Sequence, residues 1–246
     1  MLSARTSSIA LLLLVILCWP ALSLGQPAVP AKSDGPPKQA SDSGNLPDNL
    51  TLISGLKQLL DISSTKAIAQ LGKHDGFLGN EAIRILLPPR LQAIGKSMRM
   101  IGRGDEVDEL EIAMNRAAED ATAQAKPVFV AALKNLVVKD PKLVLNGGDT
   151  AATDYFRHSS SSDLIAAFTP IAHRSMERAG VIKQYKHVLK NDPGGSAIAN
   201  EFDLDQYVVE RTLDGIFNVM ASEEGNIRQN PGAQNSDLIK EIFSAK

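Results

Sequence analysis

The chain has 246 residues, with 26 Lys and Arg against 28 Asp and Glu, 43% hydrophobic residues and only 4% aromatic residues. This near-neutral charge excludes a strongly basic nucleic-acid binder. The only cysteine, Cys18, lies in a segment expected to be removed, so the mature chain has no disulfide, no thiolate nucleophile and no cysteine metal site.

Residues 1–25 are predicted to be a cleaved export signal. Arg5 supplies a positive start, residues 9–17 form an apolar run, and small residues precede the expected cut before Gln26. The run is too short to cross about 30 Å of hydrocarbon, which takes about 20 apolar residues. Cys18 follows a leucine rather than a small residue, which argues against lipoprotein anchoring. The sequence therefore predicts a periplasmic or secreted protein with no stable membrane span after cleavage.

Residues 26–47 are predicted to be a disordered linker. The segment holds five prolines, two glycines and several serines, and it has almost no apolar side chains to bury. Burial cannot then offset the entropy lost on ordering. The mature chain retains 25 cations against 28 anions, a net charge of −3. The roughly 200 residues that follow the linker are enough for one well-buried core.

Residues 48–246 are predicted to form a single all-α domain of about eight or nine helices. Apolar residues recur at intervals of three and four through most of this stretch. Residues 83–87 are the exception, because an apolar run ending in two prolines suits a short extended segment, half of one minor strand pair. A helical turn fits these residues nearly as well.

Capping residues predict several helix boundaries. Aspartate accepts hydrogen bonds from the free N–H groups at a helix start, and proline suits the first helical position. We therefore expect helices to begin at Asp105, at Asp140-Pro141, at Asp149 and at Asp203.

Interruptions are expected in the second half of the chain. The serine run 159–162 followed by Asp163 is expected to start a new helix that continues to Gly180, and Pro170 predicts a kink or a break in it. Residues 191–200, which include Pro193-Gly194-Gly195, are predicted to form a loop. The tail from Ser236 carries one apolar stripe.

Several catalytic and nucleotide-binding fingerprints fail when tested against the chain. Residues 95–97, Gly-Lys-Ser, resemble the end of a phosphate-binding loop, but Arg90 stands where its first glycine belongs. Ser63 and Lys66 have the spacing of a lysine-activated serine, yet the companion motifs are missing. No cofactor is expected.

Metal sites are equally unsupported by the spacing of possible ligands. The four histidines never lie three or four residues apart, so the helical histidine pair that binds metals is absent from the sequence. No metal is expected.

Two polar groupings contain the candidate ligand-binding residues. Arg116 and Glu119 lie one helical turn apart among alanines, which indicates either an ordinary ion pair or a buried polar network that contacts a ligand. The glycine pair before Asp149 could expose N–H groups to an anion, but Asp149 as the cap would occupy them. The candidates are Asn115, Arg116, Glu119, Asp149, Thr153, Tyr155 and Arg157.

A third grouping, Glu224 and Arg228, is spaced four residues apart on the last long helix. We interpret it as a surface salt bridge of little energetic value.

Several blocks together resemble the signature of one bacterial family. They are Phe77-Leu78-Gly79-Asn80, Leu87-Pro88, Asn115-Arg116-Ala117-Ala118-Glu119, Gly147-Gly148-Asp149, Ala151-Ala152-Thr153, Tyr155-Phe156-Arg157 and Phe168-Thr169-Pro170-Ile171. Over about residues 50–245 the chain resembles the exported helical family catalogued as domain of unknown function four-one-nine-seven. The resemblance implies a bacterial source and an envelope location, and it brings no catalytic residues to carry over.

Two functional hypotheses follow. The first is a non-catalytic envelope protein, tethered by its linker, that binds a partner protein, the wall, or an apolar ligand in a pocket between helices. Phe129, Tyr155, Phe156, Phe168 and Tyr207 could line such a pocket or simply form the core. The second is a hydrolase with paired carboxylates, Glu119 as general acid with Asp149 or Glu223 as base.

Overall fold

A computed structural model describes residues 47–190, 202–233 and 236–244. The predicted export signal, the predicted linker up to residue 46 and the loop predicted over 191–200 lie outside the described residues. The described part is a single all-helical domain, as the sequence predicts. Its nine α-helices are α1 (Asn49–Leu71), α2 (Gln92–Met100), α3 (Gly104–Ala123), α4 (Lys126–Asn135), α5 (Pro141–Leu145), α6 (Ala151–Arg178), α7 (Val181–Lys190), α8 (Leu204–Gln229) and α9 (Asp237–Ser244).

The long helix α8 lies at the centre of the packing, between α1 and α6, while α3 packs against α6 and α7. Three buried rings join the helices: Phe129 of α4, Phe156 of α6 and Phe217 of α8 have their centroids 5.9–6.1 Å apart. Such tilted and edge-to-face contacts add to the hydrophobic stabilisation of burying the rings. Phe129 and Phe156, like the fully buried Phe168, therefore belong to the core.

Two of the predicted caps are confirmed by their hydrogen bonds. The carboxylate of Asp140 accepts from the Leu143 N–H at the start of α5, and that of Asp203 accepts from the Gln206 N–H at the start of α8. Each aspartate satisfies a backbone donor that no helical carbonyl can reach.

Asp105 and Asp149 do not cap their helices. Helix α3 begins at Gly104, so Asp105 already lies in its first turn. Helix α6 begins at Ala151 after Thr150, and neither Asp149 nor Thr150 caps it with a side chain. The cap of α6 comes from a distant helix, which no local pattern can reveal.

Helix α6 is continuous through both predicted interruptions. The serine run lies inside the helix and starts no new one, and the hydroxyl of Ser161 bonds to the Arg157 carbonyl of the same helix. Pro170 lacks the N–H of one helical hydrogen bond, yet the helix continues to Arg178. Buried residues on both sides of these positions, among them Phe156 and Phe168, pack one face into the core and hold the helix together.

The predicted strand pair is wrong, since the described residues contain no strand. The segment around residues 84–88 is non-helical, as one reading of the sequence predicts, but it pairs with side chains of α3. The Ile85 N–H donates to Asn115 Oδ1 at 2.9 Å, and Asn115 Nδ2 donates to the Ile85 carbonyl at 2.8 Å. The Leu87 N–H donates to Glu111 Oε1. The side chains of Asn115 and Glu111 thus make the main-chain hydrogen bonds that a neighbouring strand would make in a sheet.

Among the helices that the structure describes, none combines the length and the apolar character needed to cross a membrane.

Candidate functional site

Glu119 and Arg116 hold the irregular segment that follows α1. Glu119 Oε1 accepts hydrogen bonds from the N–H groups of Phe77 and Leu78, at 3.2 and 3.1 Å, and its Oε2 lies 2.7 Å from Arg116 Nη1. The Glu119 side chain is only 6% exposed. Both carboxylate oxygens are therefore engaged within the chain, which identifies a buried polar network.

Arg116 extends this network to Asp75, whose carboxylate lies 2.8 Å from Arg116 Nη2. Asp75 has a φ of 63°, in the left-handed region that aspartate tolerates better than most residues. The hydrogen bond from Arg116 lowers the pKa of Asp75, and the bond to Glu119 raises the pKa of Arg116. The charged forms are thus favoured in the folded chain.

The start of α6 binds an anion, and that anion is Glu224 of α8. Its two carboxylate oxygens accept hydrogen bonds from the N–H groups of Ala152 and Thr153, at 2.9 and 2.6 Å. A carboxylate at the positive end of a helix is favourable. The anion site considered for this helix start in the sequence is therefore occupied by the Glu224 carboxylate of the protein itself.

Arg228 neutralises this buried carboxylate. Its Nε lies 2.7 Å from Glu224 Oε1, and its terminal nitrogens donate to the carbonyls of Leu145 and Val144 at the end of α5. The interpretation of this pair as a surface salt bridge is wrong, since the two side chains are 4% and 0% exposed. One ion pair thus joins the end of α5, the start of α6 and the last turns of α8.

The remaining candidates are separate from one another. Asp149 accepts a hydrogen bond from Gln229 Nε2 at 3.3 Å, while the buried hydroxyl of Thr153 has no partner within the described residues. Arg157 pairs with Asp214 and lies over the ring of Phe217, 5.5 Å from its centroid. The structure does not bring the seven candidates into one site.

A groove of about 840 Å³ lies between α4 and α6, and Tyr155 is the one candidate that lines it. We call it the α4/α6 groove. Its lining comes from α4, from the non-helical segment 136–139 and from the middle of α6: Pro127, Val128, Ala131, Ala132, Asn135, Leu136, Val137, Lys139, Tyr155, His158, Ser159, Ser160, Asp163, Leu164 and Ala167.

Small side chains on the facing helices make room for the groove. Ala131 and Ala132 of α4 and Ala167 of α6 leave the space that larger residues would fill. Sequence reasoning missed this site, because the sequence does not show that these alanines lie on helices that face each other. The size is in the range of ligand pockets, which are mostly apolar with a few polar groups.

The polar side chains of the groove are available to a ligand. Within the described residues, Asn135, His158, Ser160 and Asp163 make no side-chain hydrogen bond or ion pair, and neither does the Lys139 ammonium. These side chains can therefore form hydrogen bonds or ion pairs with a ligand without breaking a contact within the described residues.

The carboxylates of the hydrolase hypothesis lie elsewhere. Glu119, Asp149 and Glu223 are all absent from the lining of the groove. Each bonds to another part of the chain, Glu223 to Lys66 at 3.0 Å. Over the part of the chain with described coordinates, no three His, Cys, Asp or Glu side chains are grouped so that they could hold a metal ion.

Fold and groove together define a compact helical domain with an open cleft between two of its helices. The chain belongs to the family described as Protein of unknown function (DUF4197), whose model matches residues 47–244. This match confirms the resemblance seen in the sequence blocks. No curated protein and no solved structure matches the chain significantly.

Proposed function

We propose that this chain is an exported, non-catalytic binding domain of a bacterial envelope and that the α4/α6 groove is its binding site. One observation carries the proposal: a groove of about 840 Å³, lined mainly by apolar side chains, presents polar side chains that have no partner within the described part of the chain. Burial of apolar ligand surface would supply affinity, and the free polar groups would fix orientation.

Export and tethering complete the proposal. The leader predicted for residues 1–25 would direct the chain across the inner membrane, and the Pro-rich linker 26–47 would separate the domain from whatever lies at its N-terminus. N-terminal sequencing of protein from a periplasmic fraction tests this step, with Gln26 as the expected first residue. An intact Met1 in the cytoplasmic fraction would contradict export.

The hydrolase alternative has no observation in its favour. Its three carboxylates bond to other parts of the chain and do not share the groove. A catalytic pair needs two carboxyl groups that face one substrate.

Filling the groove tests the binding site. The neutral dye N-phenyl-1-naphthylamine fluoresces when it enters an apolar site, so it reports the groove without electrostatic attraction. We expect the dye to bind, and we expect Ala167→Phe to abolish binding because Ala167 lines the groove. Ala166→Phe is the matched control, since Ala166 is also exposed on α6 but does not line the groove.

The proposal fails if the dye does not bind, or if the two variants bind it equally. Circular dichroism of both variants shows whether the helical fold is retained, so that a loss of binding can be assigned to the groove.

A further inference from the structure

Residues 136–139, which contribute to the lining of the α4/α6 groove, form a short non-helical segment with the character of a strand. The segment starts extended, with φ −62° and ψ 121° at Leu136. Leu136 and Val138 are buried, whereas Val137, at 71% exposure, and Lys139 face solvent and line the groove. This alternation is typical of an extended chain with one buried face.

Tyr155 fixes the segment against α6. Its hydroxyl donates to the Val137 carbonyl at 2.8 Å and accepts from the Lys139 N–H at 3.3 Å. The ring that lines the groove therefore also sets the position of the backbone beside it.

The other main-chain groups of this segment are open. Counting only described residues, the Leu136 carbonyl and the N–H and carbonyl of Val138 make no hydrogen bond. In an extended chain these three groups share one edge, and Tyr155 bonds to the other. Backbone donors and acceptors nearly always find a partner in protein, water or ligand. An extended segment with open main-chain groups is the kind of surface to which a peptide strand adds.

The polar side chains are distributed along the groove and are not confined to one end. On α6 they extend from His158 to Asp163, about 7.5 Å at the helical rise. Ser160 is 6% exposed, and its hydroxyl has no partner in the described structure, whereas Ser161 and Thr169 on the same helix bond to carbonyls four residues back. A ligand in this groove meets hydrogen-bonding groups at several points.

The charges favour a ligand other than a fatty anion. The Lys139 ammonium and the Asp163 carboxylate both line the groove, and neither has an ion partner in the described parts of the chain. A fatty acid carries one negative charge, which could pair with Lys139 but would leave Asp163 unpaired, and its long tail forms no hydrogen bonds. A peptide offers a neutral amide every 3.3 Å or so and can carry charges of both signs.

We propose that the ligand of the α4/α6 groove is an extended peptide, whose main chain pairs with residues 136 and 138 and whose apolar side chains enter the groove. This inference rests on the proposed binding function and names its ligand class. Ser160 meets a polar group of the peptide, and Lys139 and Asp163 select among peptide charges.

Competition against the bound dye tests the ligand class. The probes are a capped heptapeptide of alternating leucine and serine, the same peptide N-methylated at alternate amides, and oleate. We expect the unmodified peptide to displace the dye and the N-methylated peptide to bind about tenfold more weakly, since it lacks the amide donors of main-chain pairing. Oleate at the same concentration is expected to leave the dye in place.

Two variants and one control locate the contacts. Ser160→Ala is expected to weaken binding of the peptide but not binding of the dye. Ser161→Ala is the control: the Ser161 hydroxyl bonds to its own helix, so its loss is expected to change neither affinity. Tyr155→Phe, which frees the Val137 carbonyl and the Lys139 N–H, is expected to lower peptide affinity while the dye still binds.

The two proposals fail in different ways. If the dye binds and Ala167→Phe blocks it, but N-methylation has no effect or oleate displaces the dye better than the peptide does, the peptide inference is overturned and the groove remains a binding site. If the dye never enters the groove, the binding function itself is overturned.

Discussion

Arg228 Nε lies 2.7 Å from Glu224 Oε1, and this ion pair is buried at the point where the end of α5 meets the start of α6. The carboxylate caps α6, and the guanidinium bonds to the last carbonyls of α5. The end of α5 and the start of α6 lie 6 residues apart in the chain. Their backbone groups without a partner inside the helix are thus satisfied by side chains of a third helix.

Replacement of Glu224 tests the energetic value of this pair. We expect Glu224→Gln to lower the free energy of unfolding by about 3–5 kcal/mol, because it leaves the Arg228 charge buried without its counter-ion. Urea denaturation followed by circular dichroism measures the change. Its neighbour Glu223 provides the control: Glu223→Gln removes a partly exposed pair with Lys66 and should cost less than about 1 kcal/mol. Equal losses in the two variants would contradict a special role for the buried pair.

A second prediction concerns the irregular segment after α1. Glu119→Ala removes the acceptor of the Phe77 and Leu78 N–H groups and the partner of Arg116, and is expected to destabilise the domain by about 2–5 kcal/mol. Amide hydrogen exchange should quicken at residues 77 and 78. Glu109→Ala, at an exposed position of the same helix, should change neither quantity. Unchanged exchange in Glu119→Ala would argue that apolar packing alone holds the segment.

A third prediction uses two glycines of α8. A Cβ at Gly215 would lie 2.5 Å from Phe77 Cε1, in a fully buried ring, whereas at Gly225 the nearest atom would be 3.7 Å away. Gly215→Ala is therefore expected to destabilise the domain, since overpacking costs about 1–3 kcal/mol. Gly225→Ala should stabilise it by up to about 1 kcal/mol through helix propensity. Thermal melts of the two variants should move in opposite directions, and a shared direction would be inconsistent with close packing at Phe77.

A fourth prediction concerns pH. Hydrogen bonding to Asp205 raises the pKa of His173 above 6.5, with Glu177 of the same helix adding to the effect. The stabilisation from protonated His173 is therefore complete below pH 6.5 and is lost as the pH rises through the raised pKa. It should be small, because the imidazole is nearly half exposed and screened by solvent. NMR titration of the imidazole measures the pKa, which Asp205→Asn should lower; an equal pKa in that variant would contradict this cause.

Local patterns predicted most of the fold. Helical spacing gave the single all-α domain, and the caps at Asp140 and Asp203 were predictable because a cap and its donors lie within three residues. The family resemblance carried by the sequence blocks is also confirmed, since the family model matches residues 47–244.

Several of the errors involve partners distant in sequence. Glu224 caps a helix 72 residues before it, and Asn115 pairs with a segment 30 residues before it. Periodicity and local capping rules carry no information about such contacts. Packing likewise kept α6 intact through its serine run, because the tertiary environment overrides weak local preferences.

The seven candidate residues named from the sequence do not lie together in one site. Polar residues in the family blocks proved to brace the fold, as Glu119 and Arg116 do, and only Tyr155 lines the groove. The groove depends on alanines that face each other across two helices, and a single sequence does not show which helices face each other.

Both walls of the α4/α6 groove come from one continuous stretch of the chain, residues 127–167. The interface between α1 and α8 is built from other residues, before and after that stretch. Changes on the exposed faces of α4 and α6 can therefore alter the shape and charge of the groove while the α1/α8 interface is left intact, so that the two are free to diverge over evolutionary time.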